Sequence, residues 1–256
     1  MIRLENVNFG YNSKQVLNDV SFHIKPGESR IIMGPSGGGK STLLRLILGL
    51  DCPWSGKVYI DGEDICGQPL SKLQEIRKRI GMVFQDGALF DSMTIGENVG
   101  FYLFEHTKMD EAEIEKKARE ILTFVDLDAD EIIDKLPEEL SGGMRRRVAL
   151  ARALLSTQPR IMLFDEPTTG LDPQATQNVL NQIRKLQEEE NIAVIIVTHQ
   201  IADALKLADK FVIIQKGKVV FDGGLEEMRQ SETQEVVRFL APFKNSMQEV
   251  VAKQVI

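Results

Sequence analysis

The chain has 256 residues, 43% of them apolar, and a mean hydropathy of −0.14, enough to bury a core as one large domain or two small ones. A formal net charge of −7 argues against bulk nucleic-acid binding, and runs such as "AVIIV" fall far short of the roughly 18 apolar residues a membrane span needs. Cys52 and Cys66 form neither a CxxC pair nor a disulfide framework, which fits a reducing cytoplasm, and "MIRLENVNFG" shows no secretory signal. The expectation is a cytoplasmic protein whose membrane role, if it has one, runs through a partner.

In chain order, "IRLENVNFGY" and "VLNDVSFHI" alternate as antiparallel strands do. "RIIMG" is a short strand ending at a glycine-rich loop, and "KSTLLRLILGL" has the apolar density of a buried helix. "GKVYIDGEDI" is a hairpin turning at Asp61-Gly62. From about Gln85 to Ser156 the texture is helical: "TIGE" has capping-box spacing at Thr94 and Glu97, and Ile114, Ala118, Ile121, Leu122 and Val125 form one apolar face. "RIMLFDE" and "NIAVIIVTH" are continuous apolar runs that predict buried parallel strands, and "FVIIQKGKVVFDG" is a further hairpin. The tail predicts two short helices, one with Val236, Val237, Phe239 and Leu240, the other with Met247, Val250, Val251 and Val255. An α/β core therefore brackets a helical insertion and is followed by a helical tail.

"GPSGGGKS" matches G-x-x-x-x-G-K-[ST] between a predicted strand and a predicted helix, the context in which this motif binds phosphate. Glycines let backbone N–H groups close around phosphates, and the helix N-terminus adds favourable partial charge. Gly34, Pro35, Ser36, Gly37, Gly38, Gly39, Lys40, Ser41 and Thr42 are the expected nucleotide-binding residues. Lys40 would reach the β- and γ-phosphates and Ser41 would ligate Mg²⁺.

Asp165 and Glu166 end an apolar strand. Asp165 suits a Mg²⁺-holding role, and Glu166 is placed to polarise an attacking water. His199 ends the next apolar strand; neighbouring strand ends of a parallel sheet converge on the ligand crevice, which suits a γ-phosphate donor that orients water. Gln85 follows another strand-like run and could meet Mg²⁺ or the attacking water. Tyr11 is the aromatic available for stacking on the base. ATP and Mg²⁺ are thus the expected ligands.

A second glycine turn, "EELSGGMRRRVALARAL", opens a helix but carries no lysine beside its glycines. With "LSGGM" placed before the acid pair, the chain over about residues 2 to 225 resembles the nucleotide-binding subunit of an ATP-binding cassette (ABC) transporter. That resemblance implies a P-loop NTPase fold with an antiparallel β subdomain, a helical subdomain and a C-terminal helical extension. Residues 1–84 and 157–225 would form the nucleotide-binding core, 85–156 the helical subdomain and 226–256 the extension. In the family two subunits bind head to tail, so each ATP lies between one lysine-bearing loop and the opposite signature loop. The missing lysine is then supplied across the interface. Ser141, Gly142 and Gly143 would offer hydroxyl and backbone donors to that nucleotide, and Asp172 in "TTGLDP" would cross the interface.

Met144 departs from the family's signature glutamine, and Gln200 from the acid that often follows the histidine. "RRRVALAR" is read as a helix surface that pairs with acids or senses the phosphates rather than as a nucleic-acid patch. The strings "GALF", "FEHTKM", "SGGM" and "VVRFL" are similar to those of Mla-type ATPases of lipid transporters associated with MCE proteins. This implies phospholipid movement between envelope membranes, at the cytoplasmic face of the inner membrane, with a permease, an MCE-domain protein and a STAS-domain protein, while the single copy of each motif implies a homodimer, or pairing with a similar subunit. The alternative is an ATPase for another substrate class, such as amino acids or lipoproteins.

Overall fold

The computed structural model describes residues 1–157, 159–189, 192–208 and 210–243. Its first elements are β1 (Ile2–Tyr11), β2 (Lys14–Ile24), β3 (Arg30–Met33), α1 (Lys40–Ile47), β4 (Ser55–Ile60), β5 (Glu63–Asp64) and α2 (Leu70–Arg77). Next come β6 (Ile80–Val83), α3 (Ile95–His106), α4 (Glu111–Phe124), α5 (Ala129–Ile132), α6 (Gly142–Thr157), β7 (Ile161–Asp165) and α7 (Pro173–Glu189). The series ends with β8 (Ala193–Thr198), α8 (Ile201–Ala204), β9 (Lys210–Gln215), β10 (Lys218–Gly224), α9 (Leu225–Arg229) and α10 (Gln234–Leu240). The chain divides into two compact units, Met1–Ile76 with Ala193–Ile256, and Arg77–Ile192.

The first unit holds an antiparallel sheet in the order β2-β1-β4-β5. Alternation along β1 and β2 buries Ile2, Leu4, Val7, Leu17, Val20, Phe22 and Ile24 while polar neighbours face out. The β1–β2 pairing expected from sequence is interrupted by register shifts at Leu4/Val7, Val7/Phe9 and Phe9/Gly10. At the first of these Asn6 takes φ 47 and its amide donates to Asp19 Oδ1 at 2.8 Å. Such a bulge twists the ribbon and leaves its extra residue to be satisfied by side chains.

The same unit carries the strand order β10-β9-β3-β8, with β3 parallel to both β8 and β9. Every residue of β3 and of β8 is buried, as the two-sided covering of a parallel sheet requires. Burying each Val or Ile side chain of these strands contributes roughly 1.5–3 kcal/mol. On α1, Leu43, Leu44, Leu46 and Ile47 are buried.

In the second unit β6 runs parallel to β7. Thr94 and Glu97 form the expected capping box at the start of α3 (Thr94 N to Glu97 Oε2, 2.7 Å; Glu97 N to Thr94 Oγ1, 3.2 Å). Ile114, Ala118, Leu122 and Val125 are buried as the α4 periodicity predicts, with Ile121 at the half-buried edge. Asn98, buried on α3, was not legible in the sequence: its amide donates to Phe90 O, Met93 O and Thr94 O, and its oxygen accepts from Phe90 N. One side chain thereby pairs with backbone groups at both ends of the 90–94 turn. Helices α2, α7, α8 and α9 were also not anticipated. In α10 Val236 and Leu240 are buried and Val237 is exposed; Met247, Val250, Val251 and Val255 lie outside the described residues.

Candidate functional site

In the first unit the glycine loop leaves the end of β3, whose Met33 pairs in register with Thr198 of β8 and Ile213 of β9. The loop feeds directly into α1. That helix has Gly39 at its N-cap in a left-handed conformation (φ 99), no side-chain cap and no acid in its first turn. With no acid in that turn, the positive end of the helix dipole faces the loop, which favours an anion there. Lys40 is 6% exposed, and its ammonium donates to Gly34 O at 3.1 Å and Pro35 O at 3.3 Å. The loop thus coils over its own lysine. Pro35, Ser36, Gly37 and Ser41 are exposed, Thr42 is half-buried, and Gly34, Gly38 and Gly39 are buried.

His199 follows Thr198 and is exposed, so it leaves β8 at the same edge at which Gly34 leaves β3. Tyr11, the last residue of β1, is 43% exposed and stands edge-on to Phe9, with ring centroids 5.0 Å apart. Its hydroxyl donates to Asp51 Oδ2 at 3.1 Å, and Asp51 receives Arg45 Nε at 2.6 Å and Nη2 at 3.1 Å. The Arg45 hydrogen bonds, first among the causes, hold the Asp51 carboxyl below its ordinary range. Tyr11 is thereby tied to α1, the helix that the glycine loop opens. Neither Arg45 nor Asp51 carries a motif that sequence reasoning could use.

In the second unit, Val83 of β6 pairs in register with Phe164 of β7, so Gln85 and the Asp165–Glu166 pair emerge at one sheet edge. Asp165 is half-buried and ends β7. Glu166 is 8% exposed with φ 50, a left-handed backbone that costs a non-glycine residue about 1–3 kcal/mol and is held only by its surroundings. Its Oε2 accepts from Thr169 Oγ1 at 3.0 Å.

Arg146 ties this edge to the helix of the second glycine turn. Its Nε donates to Gln85 O at 2.9 Å, Nη1 to Pro167 O at 2.9 Å, and Nη2 to Thr169 O. The basic run therefore differs from its expected role. Arg145 donates to Leu140 O, Arg147 to Asp126 O, and Arg152 to Gly87 O and Ala88 O. These guanidiniums hold main-chain carbonyls of loops rather than acids, and burial lowers the pKa of Arg146, Arg147 and Arg152. A planar five-donor fork suits several carbonyls at once, which is why arginine serves here.

Ser141 caps α6, its Oγ accepting from Met144 N at 3.2 Å. Gly142 is half-buried and Gly143 buried. A Cβ on Gly143 would lie 2.7 Å from the Ala175 Cβ on α7, so this glycine lets the two helices pack closely. Asp172, exposed, caps α7 by accepting from Ala175 N at 2.9 Å. Ser141 and Asp172 thus both stand at helix N-termini, where backbone donors are concentrated.

A strand-to-helix glycine loop wrapped over a buried lysine, with a strand-end acid pair elsewhere in an α/β fold, defines a P-loop ATPase. The chain belongs to the ABC transporter family, whose description matches residues 17–169. It is 42% identical over 93% of its length to the methionine import ATP-binding protein MetN of Corynebacterium efficiens, of which it spans 66%. It is 40% identical over 94% of its length to the intermembrane phospholipid transport system ATP-binding protein MlaF of Haemophilus influenzae, of which it spans 90%. Its fold matches the dimeric structure of an ATP-binding cassette in a post-hydrolysis state with ADP and Pi, at a TM-score of 0.79 and 36% identity, covering 88% of this chain and 98% of that one. The protein is thus an ATP-hydrolysing cassette with the P-loop ABC fold. Among the described residues no helix is long and apolar enough to cross a membrane.

Proposed function

We propose that the protein is the ATPase subunit of a phospholipid transporter, working as a homodimer on a membrane permease at the cytoplasmic face of the inner membrane. The likeness to MlaF, reaching across nearly the whole of that relative, carries the lipid reading. An MCE-domain protein and a STAS-domain protein are the further partners it implies. A second reading, an importer of amino acids, is favoured by the likeness to MetN.

In the proposed cycle ATP stacks its base on Tyr11 and lies in the loop from Gly34 to Thr42. Ser141, Gly142 and Gly143 of a second copy close on its γ-phosphate, and Asp172 reaches across the interface. Because only the triphosphate bridges both loops, closure depends on ATP and is lost on hydrolysis. Glu166 accepts a proton from the attacking water, His199 orients that water, and Lys40 balances charge on the β- and γ-phosphates. The hydroxyl of Ser41, the amide oxygen of Gln85 and the carboxylate of Asp165 would hold Mg²⁺. They are oxygen donors suited to a hard cation, which would neutralise charge on the phosphate oxygens.

Residues 1–84 and 157–225 are proposed as the nucleotide-binding core, 85–156 as the subdomain facing the permease and 226–256 as an extension. A 630 Å³ groove in the second unit, with Phe101, Ile114 and Ile133 on its walls and Glu97, Glu105 and Asp134 beside them, supports a docking role for that subdomain. No nucleic-acid role is proposed, because the arginines of the basic run are engaged with carbonyls.

The test is affinity purification of Glu166→Gln with ATP from native membranes, followed by mass spectrometry of proteins and lipids. A permease with an MCE-domain protein and bound phospholipid supports the lipid reading. Recovery of an amino-acid permease discards it and leaves the ATPase chemistry standing.

A further inference from the structure

The turn joining β9 to β10 is locked against β2. Gly217 (φ 75) gives its carbonyl to Asn18 N at 2.8 Å, and a Cβ there would lie 2.2 Å from Val16 O. No other residue could approach β2 so closely without moving it. The preceding residue, Lys216, takes φ 50 and is thereby set on the border of a 490 Å³ cleft. Lys14, the first residue of β2, borders the same cleft, together with Gln15, Tyr11 and Gly37 of the phosphate loop.

Both lysines are exposed. Among the described residues neither ammonium has a hydrogen-bond or ion-pair partner, and no residue lining the cleft is acidic. The arrangement runs against the character of the chain, which carries a net charge of −7. Two uncompensated cations on one concave wall create a local positive potential that becomes favourable when an anion enters.

The other lining residues indicate which part of the ligand that anion is. A nucleotide with its base on Tyr11 and its terminal phosphates in the glycine loop must pass its ribose and α-phosphate along a cleft that Tyr11 and Gly37 share. We infer that Lys14 and Lys216 are nucleotide-positioning residues that hold the α-phosphate and ribose of ATP from outside the glycine loop, an inference that rests on the ATPase reading. Since ADP keeps both of these groups, the two lysines hold product as firmly as substrate.

The experiment measures dissociation constants of ATP, ADP and pyrophosphate by calorimetry, with magnesium, for the full chain and for Lys14→Met, Lys216→Met and the double variant. Pyrophosphate stands in for the β- and γ-phosphates alone. Each single variant is expected to weaken ATP and ADP about 3- to 10-fold and the double variant about 10- to 100-fold, with pyrophosphate within about twofold of the parent. Lys216→Arg, which keeps the charge, restores most of the affinity. Unchanged ATP and ADP binding in the double variant overturns the inference. So does an equal loss for pyrophosphate, which would mean a general field rather than a grip on the α-phosphate. A parent protein that binds no ATP, or a Lys40→Ala variant that binds it normally, would instead overturn the ATPase reading itself.

Discussion

Arg146 Nε, on the helix behind the second glycine turn, donates to the main-chain carbonyl of Gln85 at 2.9 Å, although the two residues are 61 positions apart. The same guanidinium holds Pro167 O and Thr169 O on the loop after the acid pair. The backbone of the candidate magnesium-holding glutamine, the loop after the candidate base and the signature helix therefore share one buried cation. Arg146→Met is expected to leave three carbonyls unpaired and to cost about 2–4 kcal/mol of stability. Chemical denaturation of the variant measures this, and the ATPase rate is expected to fall further than nucleotide affinity. Parent-like stability would remove the guanidinium from this structural role.

Glu166 combines a left-handed backbone with near-complete burial. Glu166→Gln is expected to abolish hydrolysis while ATP binding persists, since the amide cannot take a proton from water. Glu166→Gly is expected to be equally inactive, yet to relieve about 1 kcal/mol of backbone strain relative to Glu166→Gln. A thermal denaturation comparison of the two variants reads that difference, and the absence of any gain would show that the turn is unstrained.

Tyr11 is anchored by an ionised Asp51. Because the folded carboxyl titrates below its ordinary value of 3.8, the anchor contributes fully above that pH and is lost as pH falls through the lower folded value. The Tyr11–Asp51 contact should therefore be independent of pH near neutrality. Asp51→Asn removes the charge at every pH and is expected to weaken ATP binding by about 3- to 10-fold, within the range of a stacked base. Trp54, the single tryptophan, has its ring 6.3 Å from that of Phe9, which itself touches Tyr11, so its fluorescence offers a readout of base stacking.

The two cysteines are expected to differ in reactivity. Burial, the largest cause, pushes the Cys66 thiol up to about 11, and its sulfur accepts from Val58 N at 3.3 Å. Cys52 is exposed. Near pH 8 only about one Cys66 thiol in a thousand is ionised, so iodoacetamide should label Cys52 alone in the native protein and both after unfolding. Equal labelling of the native chain would contradict the burial of Cys66.

Gly143 is packed against Ala175. Gly143→Ala is expected to push α6 from α7 and cost about 1–3 kcal/mol, as overpacking does elsewhere. Gly142→Ala, with its nearest neighbour the Leu171 side chain at 3.5 Å, should be tolerated far better in stability. Melting temperatures of the two variants make the comparison, and similar values would show that the helices yield freely.

What could be read from the sequence was what acts over a few residues. The glycine loop, the capping box at Thr94 and Glu97, the Asp61-Gly62 turn and the buried apolar strands each follow from local stereochemistry or hydrophobic period, and each is present. α2 and α9 were missed because their apolar residues are too few to mark a face; only Ile76 and Met228 are buried in them. The bulge at Asn6 is satisfied by Ser21 and Asp19 on the opposite strand, which no period reveals.

The sequence by itself determined that this chain holds a nucleotide, because a phosphate loop needs fixed residue types at fixed spacing, and its resemblance to ABC cassettes rested on the order of the motifs around that loop. Only the tertiary structure decided what holds the chemical groups in place. Arg146 reaches Gln85, Asp51 reaches Tyr11, and Lys14 comes to share a cleft with Lys216 through pairings distant in the chain. An arginine, an aspartate or a lysine looks the same in sequence whether it faces water or a carbonyl. Its partner is selected by the packing of whole elements, which local pattern does not encode.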